Sequence, residues 1–268
     1  MQALFYRAWT YIRHRLTAWN TTGEGIHSPS LFYIVSFLMR DQNTYYCFAD
    51  IERRRESLLA DREELDVVDY GSGGSPEGAH VTRRVCDIAR EHLERARIGQ
   101  LLFRLALYLG REQKRPLRIV ELGTSLGITT AYLAAADSRN RVVTLEGSSA
   151  LIRVACRQWE QLGLTNIECI EGNIDNTLDE YTSEGVDIAY VDANHTYEAT
   201  MRYANRLLSR LEEHGILVLD DIYYSREMTR AWEELKRDER VTTSMDLYDV
   251  GLLFVDPHYL KRNYRIRV

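Results

Sequence analysis

An open α/β fold is what this 268-residue sequence predicts: a mostly parallel sheet covered by helices on both faces, with a helical N-terminal part before it. Three observations lead there. From Ile119 onward, short apolar runs at 118–122, 141–145, 167–170, 186–191 and 215–219 alternate with helical or turn stretches, as expected for strands buried on both faces. The stretch Arg118 to Tyr132, RIVELGTSLGITTAY, reads as one such strand running through a glycine-cornered turn into a helix. Finally, runs at 241–246 and 250–255, separated by LYD, suit an antiparallel pair that brings the sheet to seven strands.

Composition bounds the function. A chain of this length with 45% hydrophobic residues can bury one sizeable core. Its net charge of −6 leaves no global basic footprint, so nucleic acid is not expected as the partner and a small molecule is. Cys47, Cys86, Cys156 and Cys169 are scattered without C-x-x-C spacing, which suggests neither a zinc site nor a disulfide framework and fits a reducing, cytoplasmic setting. No apolar run approaches the roughly 18 to 20 residues that span a bilayer.

Along the chain, residues 3–19 place Phe5, Ala8, Trp9, Ile12, Leu16 and Trp19 on one helical face, with Arg7, Arg13 and Arg15 elsewhere. That face is expected to dock on the domain or on a second subunit, which would make a homodimer through the N-terminal helices; membrane-surface binding would call for a more continuous basic face. TTGEGIHSPSLF at 21–32 reads as a turn, with Ser28 or Ser30 capping a short helix to about Arg40. Residues 51–66 carry both signs of charge and suggest a solvated helix. VVDYGSGG at 67–74 holds a D-x-G-x-G pattern at Asp69, Gly71 and Gly73, but 79–110 looks helical for two helices, so the stretch reads as a connecting loop or a lid. RIGQLLFRLALYLG at 97–110 is apolar almost all round, hence a buried helix, with Gly110 as its end. Helices are expected at 196–212 and 226–237, and the basic tail YLKRNYRIRV as surface strand or coil. The division drawn from these features is 1–96 as a helical extension or lid and 97–268 as the α/β domain.

The central turn spaces Gly123 and Gly127 as G-x-x-x-G, without the G-x-G-x-x-G that lets a backbone touch a pyrophosphate. Ser125 or Thr124 can cap the helix opening at Gly127, and the acidic Glu121 favours a cationic or hydroxyl-bearing ligand over a phosphate. ELGTSLGITTAYLA resembles motif I of the class I S-adenosylmethionine-dependent methyltransferases, especially the small-molecule O-methyltransferases related to the catechol and caffeoyl-CoA enzymes. With the G-Q-hydrophobic helix before the first strand, the resemblance covers about 97–255. It implies a Rossmann-like methyltransferase domain, S-adenosylmethionine as cofactor and a small hydroxyl-bearing acceptor.

Ligands of an open α/β sheet bind beyond the carboxyl ends of its strands. Glu146 ends the second strand, nineteen residues beyond Gly127, where an acid can accept both ribose hydroxyls; Gly147 lies beside it. The resemblance implies that Gly172, Asn173 and Ile174 meet adenine, and that Glu121 and the 123–127 turn hold the methionine end. After the fourth strand comes Asp192-Ala193-Asn194-His195, and after the fifth Asp220-Asp221. Clustered carboxylates need a cation or a proton, and oxygen ligands without cysteine suit Mg²⁺ or another hard divalent ion. The order Asp192, Asp220, Asp221 resembles the ligand set of cation-dependent O-methyltransferases, in which the last is often Asn; Asp192 would also face the cofactor. Helix capping is the plain alternative for Asp220 and Asp221. His195 stands where catechol-type enzymes carry a lysine and some sugar O-methyltransferases a histidine, so His195 and Asp192 are the catalytic candidates. An NAD-linked oxidoreductase and a non-catalytic S-adenosylmethionine-binding protein are the rival readings.

Overall fold

The structure is a computed structural model that describes residues 2–19, 21–70, 78–93, 95–182 and 184–267. It falls into two compact units, residues 1–42 with 184–268, and residues 43–183. Residues 1–96 supply elements to both.

Helix α1 spans Gln2–Thr17 and α2 spans Pro29–Tyr33. Ser28 caps α2 at Leu31 N, with Pro29 in the first turn, where its missing N–H costs nothing. The helix then widens into one π turn, Ile34–Leu38, closed by Met39 N–H donating to Ile34 O at 2.9 Å. α1 holds the first surprise. Phe5, Trp9, Ile12 and Leu16 are exposed, whereas Thr10 and His14 are buried. The expected apolar docking face points away from the unit, because polar side chains anchor the opposite face: Tyr6 Oη donates to Thr229 Oγ1 at 2.9 Å and His14 meets Asp246.

In the unit of residues 43–183, α3 (Phe48–Ala60) is followed by a hairpin of β1 (Glu64–Asp69) and β2 (Ala79–Arg84), then α4 (Val85–His92) and α5 (Ala96–Gln113). Residues 51–60 are helical as expected; the hairpin corrects the reading of 64–66 as helix, of 67–69 as loop and of 79–84 as helix, while 71–74, with Gly71 and Gly73, lie outside the described residues. Leu65 and Val67 are buried and Glu64 and Asp66 exposed, a period-2 alternation that the run of charges before it hides. α5 passes Gly110 and ends where Lys114 turns left-handed at φ 54°. β3 (Arg118–Leu122), α6 (Ile128–Ala135), β4 (Arg141–Glu146), α7 (Ser149–Gln161), β5 (Ile167–Glu171) and α8 (Ile174–Tyr181) follow the expected alternation. β3, β4 and β5 pair in parallel, in that order.

The chain then adds β6 (Val186–Val191), α9 (Tyr197–Leu208), β7 (Leu211–Asp220), α10 (Arg226–Leu235), β8 (Thr243–Asp246), β9 (Val250–Phe254) and β10 (Arg262–Arg265). β6 and β7 are parallel; β9 runs antiparallel to both β7 and β8. β10 pairs in parallel with β8 and is one strand beyond the seven expected. Trp232 of α10 is fully buried and lies where a Cβ on Gly251 of β9 would stand 2.5 Å from its ring, so a side chain there would force helix and strand apart. Among the described residues no helix is long and apolar enough to cross a membrane.

Candidate active site

At the end of β3, Glu121 is sealed from solvent, and its Oε2 accepts hydrogen bonds from the hydroxyls of Thr130 and Thr144, the latter at 2.6 Å. Thr124 Oγ1 lies 2.6 Å from Thr144 Oγ1. Glu121 therefore braces the underside of the turn through threonines that its own pattern did not single out. Above it the backbone is forced: Gly123 has φ 94° and Ser125 φ 48°, conformations that cost an L side chain energy and concentrate at functional sites. Gly127, at φ 79°, is required for packing, since a Cβ there would stand 2.7 Å from Ala155 Cβ and 2.8 Å from Trp159 Nε1. Neither Thr124 nor Ser125 caps α6; the left-handed Gly127 holds its N-cap position, and its carbonyl accepts from the Trp159 indole at 2.8 Å.

Glu146 ends β4 half-buried, with Oε2 accepting Ser125 N–H at 2.9 Å and Oε1 accepting Ser148 N–H at 3.0 Å. Two amides thus fix the carboxylate's orientation, and a carboxylate offers about four acceptor positions, so the group fits a vicinal diol. Gly147 comes next. A Cβ on it would lie 2.3 Å from the Tyr70 ring, which therefore packs directly against its backbone. Tyr70 leaves β1, whose Val68 N–H donates to Ser148 Oγ at 3.3 Å, so the hairpin docks on the turn that carries Glu146. Sequence reading passed over Tyr70; its signal was the missing side chain at 147. After β5, Gly172 N–H donates to Glu146 O at 2.9 Å, and Asn173 Oδ1 accepts Asp175 N–H at 2.9 Å as the N-cap of α8, with Ile174 beginning that helix. Burial pushes the Cys169 thiol up to about 12, so it is no nucleophile at neutral pH.

In the other unit, Asp192 follows β6, Asn194 is left-handed at φ 47°, and His195 Nε2 stands 3.3 Å from Asp192 Oδ1. Asp220 ends β7 buried, and Asp221 is left-handed at φ 51°. Burial pushes the Asp221 carboxyl above its usual range; His195 and Arg7 oppose this, while Asp192 and Asp249 add to it. The capping alternative fails for both aspartates, because Ser225 caps α10 through Met228 N–H at 3.1 Å. The Tyr224 ring lies tilted against His195, centroids 5.5 Å apart, and under the Arg7 guanidinium at 5.4 Å. Asp192, His195 and Asp221 are thus neighbours. Yet among the described residues the group whose ligand atoms all lie within 4.8 Å of one another is His214, Asp256 and His258, six residues back along β7 from Asp220 and so about 20 Å away.

Comparison with known proteins agrees with this architecture. Residues 120–222 match the family described as a methyltransferase domain. O-methyltransferase hkm8 of Aspergillus hancockii is 32% identical over 118 residues, 42% of this chain and 45% of that protein. Protein-L-isoaspartate O-methyltransferase of Thermosipho melanesiensis is 28% identical over 103 residues, 38% and 48% of the two chains. The chain thus spans under half the length of these curated relatives. The structure of the S-adenosylhomocysteine-bound Podospora anserina methyltransferase PaMTH1 superposes with a TM-score of 0.56 at 16% identity, covering 85% of this chain and 96% of that one. The fold is that of the class I methyltransferases.

Proposed function

We propose that this chain is an S-adenosylmethionine-dependent methyltransferase acting on a hydroxyl oxygen of a small-molecule acceptor. The observation that carries the proposal is Glu146, held at the end of β4 by the amides of Ser125 and Ser148 directly beside the strained 123–127 turn. Both curated relatives are O-methyltransferases by name, which supports methyl transfer to oxygen, although the second is named for a protein isoaspartate.

S-adenosylmethionine, when bound, supplies an already activated methyl group, so the protein's task is alignment and deprotonation. Glu146 would hold the ribose, Gly147 and Tyr70 a face of the nucleoside, and Gly172, Asn173 and Ile174 the adenine. The backbone of Gly123, Thr124 and Ser125, braced by Glu121 and Gly127, would receive the methionine end. His195, oriented by Asp192, would take the proton of the acceptor hydroxyl. Asp192, Asp220 and Asp221 would hold a divalent cation such as Mg²⁺, which lowers the pKa of a hydroxyl bound to it. Burial, with Asp192 and Asp249 adding to it against His195 and Arg7, raises the Asp221 carboxyl, and a cation bound there would offset that cost. Arg7 acts on Asp221 from α1, which sets the first helix beside the candidate acceptor-side acids.

The turn lacks the glycines of an NAD site, which disfavours the oxidoreductase reading. Calorimetric titration with S-adenosylhomocysteine and with NAD, each with and without Mg²⁺, tests the proposal. Binding of S-adenosylhomocysteine alone supports it; binding of NAD alone sinks it. Screening phenols, catechols, sugars and carboxylates for methyl uptake then separates an enzyme from a binding protein.

A further inference from the structure

The geometry points to α1 as a membrane-surface anchor whose outward face lies on an anionic lipid bilayer. Phe5, Trp9, Ile12 and Leu16 are 76%, 57%, 52% and 81% exposed, and Trp19, just beyond the helix, is 69% exposed. On a wheel of 3.6 residues per turn the four helical side chains fall within about 60° of arc, and Arg13 and Arg15 stand roughly 70° and 90° to its two sides. Both arginines are exposed. That placement lets their charged heads reach lipid phosphates while the apolar stripe enters the acyl boundary.

The stripe cannot turn inward. Thr10 and His14 are buried, Tyr248 Oη donates to Arg7 O at 2.7 Å, Tyr6 Oη donates to Thr229, and Arg265 reaches Thr17 Oγ1 at 2.5 Å. A helix tethered by its polar side keeps its apolar side available. Charge selects the occupant. Residues 1–19 contain no Asp or Glu, although the whole chain carries a net charge of −6. A second copy docking stripe to stripe would bring two all-basic helices together, and like charges repel. An anionic surface attracts the same helix, and tryptophans are enriched at bilayer interfaces. The inference does not depend on the methyltransferase reading.

The test is co-sedimentation of the full chain with vesicles of phosphatidylcholine containing a quarter phosphatidylglycerol, beside pure phosphatidylcholine. The chain should pellet with the anionic vesicles, and Arg13→Gln and Arg15→Gln should each weaken partitioning about fivefold. The combined Phe5→Ser, Trp9→Ser and Leu16→Ser variant should remain in the supernatant with an unchanged thermal melt, since these side chains are exposed. Failure of the unmodified chain to pellet overturns the inference. So does a concentration-dependent dimer, seen by ultracentrifugation without lipid, that the triple variant abolishes.

Discussion

His14 Nε2 stands 3.2 Å from Asp246 Oδ1, with both residues almost wholly buried. Asp246 also accepts Tyr223 Oη at 2.7 Å and Arg265 Nε at 3.1 Å, so one carboxylate at the end of β8 gathers α1, β10 and the segment after β7. Burial pushes this carboxyl up, but His14, Tyr223 and Arg265 together outweigh burial and hold it below its ordinary value.

Removing His14 leaves that carboxylate buried with less compensation. His14→Ala should lower the unfolding free energy by about 1 to 3 kcal/mol, the cost of leaving a buried acceptor short of a partner, since Tyr223 and Arg265 still reach the carboxylate. Because the folded carboxyl titrates below its unfolded value, its contribution is present above the unfolded pKa and lost as pH falls through the folded one. Denaturant unfolding at neutral pH and in acid should therefore show the gap between the two proteins narrowing in acid. A gap that is the same at every pH would mean the loss is packing alone.

Asp221 behaves in the opposite sense. Its folded carboxyl is raised, so ionising it at neutral pH destabilises the fold relative to a neutral side chain. Without divalent cation, Asp221→Asn should melt higher at neutral pH, and the advantage should vanish once acid protonates the unmodified residue. Differential scanning calorimetry across that range checks the sign. With Mg²⁺ added, the unmodified protein should gain and the variant should not.

Glu146→Ala should cost at least tenfold in S-adenosylhomocysteine affinity, since hydrogen bonds to a charged acceptor contribute roughly 1.5 to 3 kcal/mol each. Unchanged affinity in a folded variant would falsify the nucleoside assignment.

Gly147→Val should displace the Tyr70 ring and weaken cofactor binding along with stability. Tyr70→Ala in the same chain should relieve the clash, so the two losses should fall short of additive. Strict additivity in a double-mutant cycle would show that the ring and the turn are not coupled.

Much of this was legible in the sequence. The strands at 118–122 and 186–191 match to the residue because apolar runs closed by polar residues leave little choice of boundary. The hairpin was not, because Arg62, Glu63, Glu64 and Asp66 extend a charged run whose helical part ends at Ala60. The facing of α1 was not either: amphipathicity assumes that apolar sides are buried, while here Tyr6 finds half-buried Thr229 and His14 finds buried Asp246. The strand-end rule put Glu146 at the end of β4 and Asp192 and Asp221 just beyond β6 and β7, where the structure has them. It could not show that Glu121 lies beneath the turn among threonines, nor that Tyr70 arrives from a hairpin eighty residues away from Ser148 and its neighbours.

The link between Trp159 and Gly127 has a thermodynamic consequence. Gly123 N–H to Leu145 O, Gly127 N–H to Thr124 O, Ser125 N–H to Glu146 and the indole to Gly127 O pin the turn at four points. Its left-handed residues are thus ordered when the chain folds, before any ligand arrives. Preorganisation of this kind removes a conformational entropy loss from association. A ligand seated there should bind with little reordering of the turn, and Trp159→Phe, at a buried position, should make that entropy less favourable by removing one of the four pins.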